Sequence, residues 1–195
     1  MLSERNRSAM PSRRQVLAAS GVAFTTGSLG SCLSKVGLAK TGELQLKAIS
    51  LEWQYGNQTY IDQPLWIGFD HGDGRIFGRY DPAFVGGSVR SPDDIVVSED
   101  RHHKLSARFT VEYLLGVCGK NFDSSEEGTG CLNTWTSRTD FNRVQLDDRA
   151  EVRETNNRFD VIDVYEDSYT IRSTDVHTFD FAKLHEDDGI SADGW

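Results

Sequence analysis

The clearest period in the chain is two. Leu105, Ala107, Phe109, Val111, Tyr113, Leu115 and Val117 occupy alternate positions, interleaved with Ser106, Arg108, Thr110 and Glu112. Successive side chains of an extended segment face opposite sides, so this spacing predicts a central strand with one buried face. Earlier in the chain Leu44, Leu46 and Ala48 alternate, and Ile49, Leu51 and Trp53 then alternate on the other phase. That switch predicts a strand with a bulge near residues 47–49. Tyr55-Gly56-Asn57-Gln58-Thr59 reads as a hairpin turn, and Leu65, Ile67 and Phe69 form the next inward face with Trp66 opposite.

Asp70-His71-Gly72-Asp73-Gly74 turns the chain into another short strand, residues 75–80. Residues 81–94 hold two prolines and an adjacent glycine pair and read as a long loop, and residues 95–97 as a short strand. Residues 135–144 read as a strand, with residues 141–152 also readable as a weak helix. Asn156-Asn157 joins two further runs with the chemistry of a tight I′ hairpin, since asparagine tolerates positive φ. Residues 169–171 and 176–181 supply the last strands. About ten short strands, separated by turn residues and without a 3.6-residue period, predict an all-β, antiparallel two-sheet sandwich. An immunoglobulin-like or jelly-roll arrangement is expected over residues 43–185, between a flexible tether at 33–42 and an acidic frayed tail at 186–195.

The first 32 residues follow a different pattern. Arg5, Arg7, Arg13 and Arg14 stand against Glu4, an uncharged run follows from Leu17 to Ser31, and Cys32 closes it. That is the layout of an export signal, and it is too short and too polar to span a bilayer. Ser12, Arg13, Arg14 and Leu17 resemble the twin-arginine (Tat) signal, with Val16 where the family pattern has Phe and Ala18 where it has Lys. Leu29-Gly30-Ser31-Cys32 resembles a lipobox. The resemblance implies that Arg13 and Arg14 are the recognition pair and that Cys32 carries the lipid, which would hold the domain on the extracellular face of the membrane. A second site, after Gly37-Leu38-Ala39, would instead release a soluble secreted protein.

Charge and cysteines bear on the same address. Setting aside the four arginines and Glu4 of residues 1–32 takes 21 basic and 30 acidic residues to 17 and 29, a formal charge of −12. A net field of that sign repels nucleic acid and anionic lipid. The acidic residues are mostly Asp and lysines are few, which resembles the exported proteins of haloarchaea. With Cys32 lipidated, Cys118 and Cys131 remain as an even pair flanking a polar, glycine-bearing loop. A disulfide there would remove loop-closure entropy worth roughly 3 kcal/mol, and their spacing fits no common zinc motif.

Candidate chemistry is sparse. Asp70, His71 and Asp73 place two carboxylates and an imidazole on one turn, a candidate calcium site, although an Asp-Gly turn accounts for them without a ligand. His102 and His103, beside Asp100, would point to opposite faces of a strand, and His177 and His185 are further candidate ligands. No methionine follows Met10 and no His follows either Cys closely, which argues against blue copper. No nucleophile elbow, zincin helix or phosphate-cradling loop occurs. Two readings follow: an anchored binding or interaction module for an extracellular protein or carbohydrate, with Trp53, Trp66 and Trp135 as candidate contact aromatics, or a metal-dependent enzyme using His71, His102 or His103. Asn57-Gln58-Thr59 is the one glycosylation sequon beyond the signal, with Asn57 as acceptor.

Overall fold

A computed structural model of the chain describes residues 38–120, 122, 129–166, 170–187 and 189–190. Arg13, Arg14, Cys32 and the lipobox lie outside these residues, as do most of the loop between Cys118 and Cys131, Tyr169, and the end of the acidic tail. The strands are β1 (Lys40–Tyr55), β2 (Gln58–Asp70), β3 (Arg75–Tyr80), β4 (Val89–Ser91), β5 (Asp94–Ile95), β6 (Thr110–Gly119), β7 (Gly130–Thr136), β8 (Arg149–Thr155), β9 (Arg158–Tyr165) and β10 (Ser173–Thr178). Among the described residues the α-helices α1 (Pro82–Val85), α2 (Glu99–Ser106) and α3 (Arg138–Arg143) lie between strands, and α4 (Phe181–Asp187) follows β10.

The expected two-sheet antiparallel sandwich, immunoglobulin-like or jelly-roll-like, is not what forms. One sheet runs β10-β3-β2-β1-β6-β7-β9-β8, and β8 returns to pair with β1, so that β1, β6, β7, β9 and β8 close into a five-stranded barrel. The sheet is also mixed, because β7 with β9 and β10 with β3 run parallel.

Closure depends on β1. Its first residues, Lys40 to Glu43, pair with β8, and from Leu46 onward it pairs with β2 instead, while β6 keeps its other side. Two register shifts let one long strand bend between these duties: between Leu44 and Leu46 against β6, and between Ile49 and Leu51 against β2. The second falls next to the phase switch in the apolar pattern. Gly42 sits at the closure point, where an added Cβ would lie 2.6 Å from Cys118 O and 2.7 Å from Val117 Cγ1. Only glycine lets the two backbones approach so closely. Lys40 to Gly42 therefore belong to the barrel and not to the tether.

The seam between β7 and β9 has just two backbone partners, Trp135 with Arg158 and Thr136 with Phe159. Side chains complete it. Thr134 Oγ1 donates to Asn157 O at 2.6 Å, and Thr136 Oγ1 donates to Phe159 O at 2.9 Å. Beyond the ladder, the guanidinium of Arg143 on α3 donates to Val161 O and Ile162 O, so strand carbonyls that would lack a neighbour are satisfied.

Two of the expected strands are partly helical. The alternating run 105–117 is split: Leu105 lies in the last turn of α2, and β6 begins at Thr110. Ser98 caps α2, accepting from Arg101 N at 3.2 Å, and Glu99 and Asp100 lie in its first turn where the helix dipole favours acid. Leu105 and Phe109 are still buried, but Ala107 between them is exposed, so this part of the run follows the four-residue spacing of a helix end and not the alternation of a strand. Likewise Ser137 accepts from Asp140 N at 3.0 Å and starts α3, ending β7 at Thr136 instead of carrying it to residue 144. The hairpins follow their local chemistry, with Gly56 at φ 60° and Asn156 and Asn157 at 54° and 59°.

The core fills the barrel and continues under α1 and α4. Leu44, Ile49, Leu51, Leu65, Ile67, Leu115, Val117 and Phe141 are fully buried within it. Ile190 joins the same core, so the end of the described chain is packed as far as that residue.

Candidate functional site

The residues expected to carry chemistry are brought to separate places. Asp70 Oδ1 accepts from Gly72 N at 3.0 Å and from Asp73 N at 3.2 Å, so its carboxylate closes its own turn. His71 turns away from it: Nε2 lies 3.1 Å from Leu44 O, Nδ1 is 3.7 Å from Glu43 Oε2, and the ring packs edge-on against Phe69. The expected calcium set of Asp70, His71 and Asp73 thus has its members engaged in different directions. His102 and His103 stand on α2 and not on a strand. His102 Nδ1 is 2.9 Å from the hydroxyl of Tyr113, whose ionisation burial pushes well up, while His103 Nε2 pairs with Glu99 at the surface at 3.1 Å. His177 pairs with Asp175 on exposed β10. Among the described residues, no three His, Cys, Asp or Glu side chains gather where they could hold a metal ion.

Trp53 is buried, and Trp66 and Trp135 are half-buried, so the three candidate contact aromatics include no fully exposed ring. Trp66 packs against Phe77 with centroids 5.5 Å apart. Cys118 and Cys131 face each other on β6 and β7 with their sulfurs at disulfide distance, joining neighbouring strands.

Two polar centres that the sequence reading missed lie on β1. The first is Lys47, which is 0% exposed. Its Nζ donates to Ile95 O at 2.8 Å, to Val144 O at 2.7 Å and to Gln145 Oε1 at 3.2 Å, and it stands 4.3 Å from the centroid of Phe141. Three acceptors match the three N–H groups of an ammonium, and the ring face adds a cation–π contact. Burial nevertheless pulls its pKa down to about 7, against the opposing pull of Asp148 and Asp94. The cage is itself braced: Gln145 Oε1 also accepts from Ile95 N at 3.0 Å, and Asp148 Oδ2 accepts from Gln145 N at 2.6 Å. The one trace in the sequence is a lysine inside an apolar run at the phase switch.

The second centre lies where β1 and β2 extend past the barrel. Asp62 Oδ2 accepts from Trp53 Nε1 at 2.8 Å and lies 3.1 Å from His185 Nε2 on α4. Trp53 stacks on Tyr60 with centroids 4.8 Å apart, and the His185 ring stands edge-on to Trp53 and Phe181. The start of α4 is held by Asp81, a buried carboxylate that caps two helices: Oδ1 accepts from Ala83 N and Oδ2 from Phe181 N, each at 2.7 Å. Asp62 and His185 are 123 residues apart, which no local pattern can connect.

No family model matches the chain, and neither a curated protein nor a solved structure matches it. No helix of the described residues is long and apolar enough to cross a membrane.

Proposed function

We propose that the chain is an exported, membrane-anchored domain that serves as a binding or interaction module on the outer face of the cell membrane, with an extracellular protein or carbohydrate as ligand. The arginine pair at Arg13 and Arg14 supplies the address and Cys32 the anchor. The Cys118–Cys131 pair supports an oxidising compartment, where such bonds persist. The net negative charge argues against nucleic acid as the ligand.

The observation that carries binding over catalysis is the divergence of the histidines. His71, His102 and His103 turn to Leu44 O, Tyr113 and Glu99 respectively, each serving its own piece of the fold. Two experiments test the reading. Protease treatment of intact cells should remove the wild-type domain, while Arg13→Lys with Arg14→Lys should keep it inside; a double variant reaching the surface in normal amount would sink the Tat assignment. Metal analysis of protein purified without chelators should return substoichiometric zinc, copper and iron, and a stoichiometric value would move the function to the metal-dependent enzyme.

A further inference from the structure

The hairpin joining β1 and β2 combines three features at one exposed tip. Gly56 has positive φ at 60° while Asn57 does not, the sign pattern of a II′ turn, so Asn57 occupies the second turn position. Asn57 and Thr59 are both exposed, and the Asn57 side chain makes no hydrogen bond among the described residues. Immediately before the turn, Tyr55 is 38% exposed. Its ring makes an edge-on contact with Trp53, centroids 6.4 Å apart, and part of the residue remains open to solvent. Tyr55 pairs with Gln58 across the hairpin, so it is the strand residue that flanks the two-residue turn holding Asn57.

We propose that Asn57 carries an N-linked glycan whose first sugars pack on the exposed ring of Tyr55. The inference rests on the exported reading above, since the donor for such a transfer is a lipid-phosphate-linked oligosaccharide on the outer side of the membrane. In the step, Asn57 Nδ2 bonds to the anomeric carbon of the sugar as its bond to the phosphate breaks. The lipid phosphate leaves with the electron pair, and one amide proton passes to a base of the transferase. Thr59 supplies the hydroxyl that completes the acceptor sequon. The tip accepts the bulk because the flanking positions Tyr55, Gly56, Asn57, Gln58 and Thr59 are all exposed, and Gly56 has nothing within 4 Å of an added Cβ. An aromatic face suits the C–H side of a sugar ring, and Tyr55 is fixed in place before the sugar arrives.

The test is the intact mass of native protein extracted from membranes, for wild type, Asn57→Gln and Thr59→Ala, with surface location established in parallel by protease treatment of intact cells. The expected result is a surface protein in which both substitutions remove the same whole number of sugar masses. A surface protein whose mass changes only by the substituted atoms would overturn the glycan and leave the exported reading standing. A wild-type protein protected inside the cell would overturn both. Tyr55→Ser tests the packing: the glycan should raise Tm in wild type relative to Asn57→Gln, and that increment should vanish in the Tyr55→Ser background. An increment that survives the loss of the ring would overturn the role given to Tyr55.

Discussion

Two buried polar centres lie six residues apart on the same strand and are built on opposite terms. Lys47 is wholly withdrawn from water and held by neutral groups, two backbone carbonyls and an amide oxygen. The centre at Trp53 is an acid–imidazole pair at a rim, with the side chains of His185 and Asp62 10% and 23% exposed. A dry cation has no solvent to fall back on, so its cage must be complete. A rim pair is partly screened and backed by aromatic packing, so each contact there matters less.

The difference can be broken most directly at Lys47. Lys47→Ala takes the ammonium donor from Val144 O, Ile95 O and Gln145 Oε1, of which the last two keep their bonds with each other's residue, and leaves the volume of a buried side chain unfilled; we expect a loss of about 3–5 kcal/mol in chemical denaturation. Lys47→Met keeps most of the volume and should cost less, because only the lost hydrogen bonds remain to be accounted for. A cost of Lys47→Ala below that of His185→Ala would remove the distinction between the centres.

Titration sharpens it. The folded pKa of Lys47 is lowered from 10.5 to about 7, so between these values the unfolded chain binds the extra proton and folding releases it. Below about pH 7 the amine is charged in both states and its contribution is level. Above that, stability should rise with pH by up to about 1.4 kcal/mol per unit until the unfolded lysine also deprotonates. The quantity to measure is wild-type stability minus that of Lys47→Met between pH 7 and 10. A flat difference would mean that the three acceptors and the Phe141 ring hold the proton throughout.

Asp81 comes next in size. Its carboxylate caps α1 and α4 together, so Asp81→Ala should cost about 2 kcal/mol, while Asp81→Asn, which keeps an acceptor oxygen, should cost less. Hydrogen exchange would locate the loss: α4 and α1 should open while β6 stays protected. At the rim, His185→Ala should cost about 1–2 kcal/mol and raise exchange in α4 alone. The smallest effect belongs to His103, whose pair with Glu99 is exposed on both sides, and His103→Ala should change stability by less than about 0.5 kcal/mol.

What the sequence determined by itself is what neighbouring residues settle between them. Gly56, and the pair Asn156 and Asn157, adopt the positive φ that their hairpins require, and the phase switch near residues 47–49 lies beside a real register shift. Ser98 and Ser137 start helices inside segments that the period of two through Leu105, and the aromatic residues Trp135 and Phe141, predict as strand; a side-chain cap acting over three residues decides the local backbone there. The tertiary structure decided the rest. Whether the sheet stays open or closes depends on β8 reaching the start of β1, and on Gly42, where an added Cβ would lie 2.6 Å from Cys118 O. Beyond the apolar run around it, nothing local marks Lys47 as buried; Ile95 and Val144, 48 and 97 residues away, enclose it. Turn chemistry acts within a few residues; barrel closure and buried charge depend on contacts across a hundred, and only the folded chain brings those together.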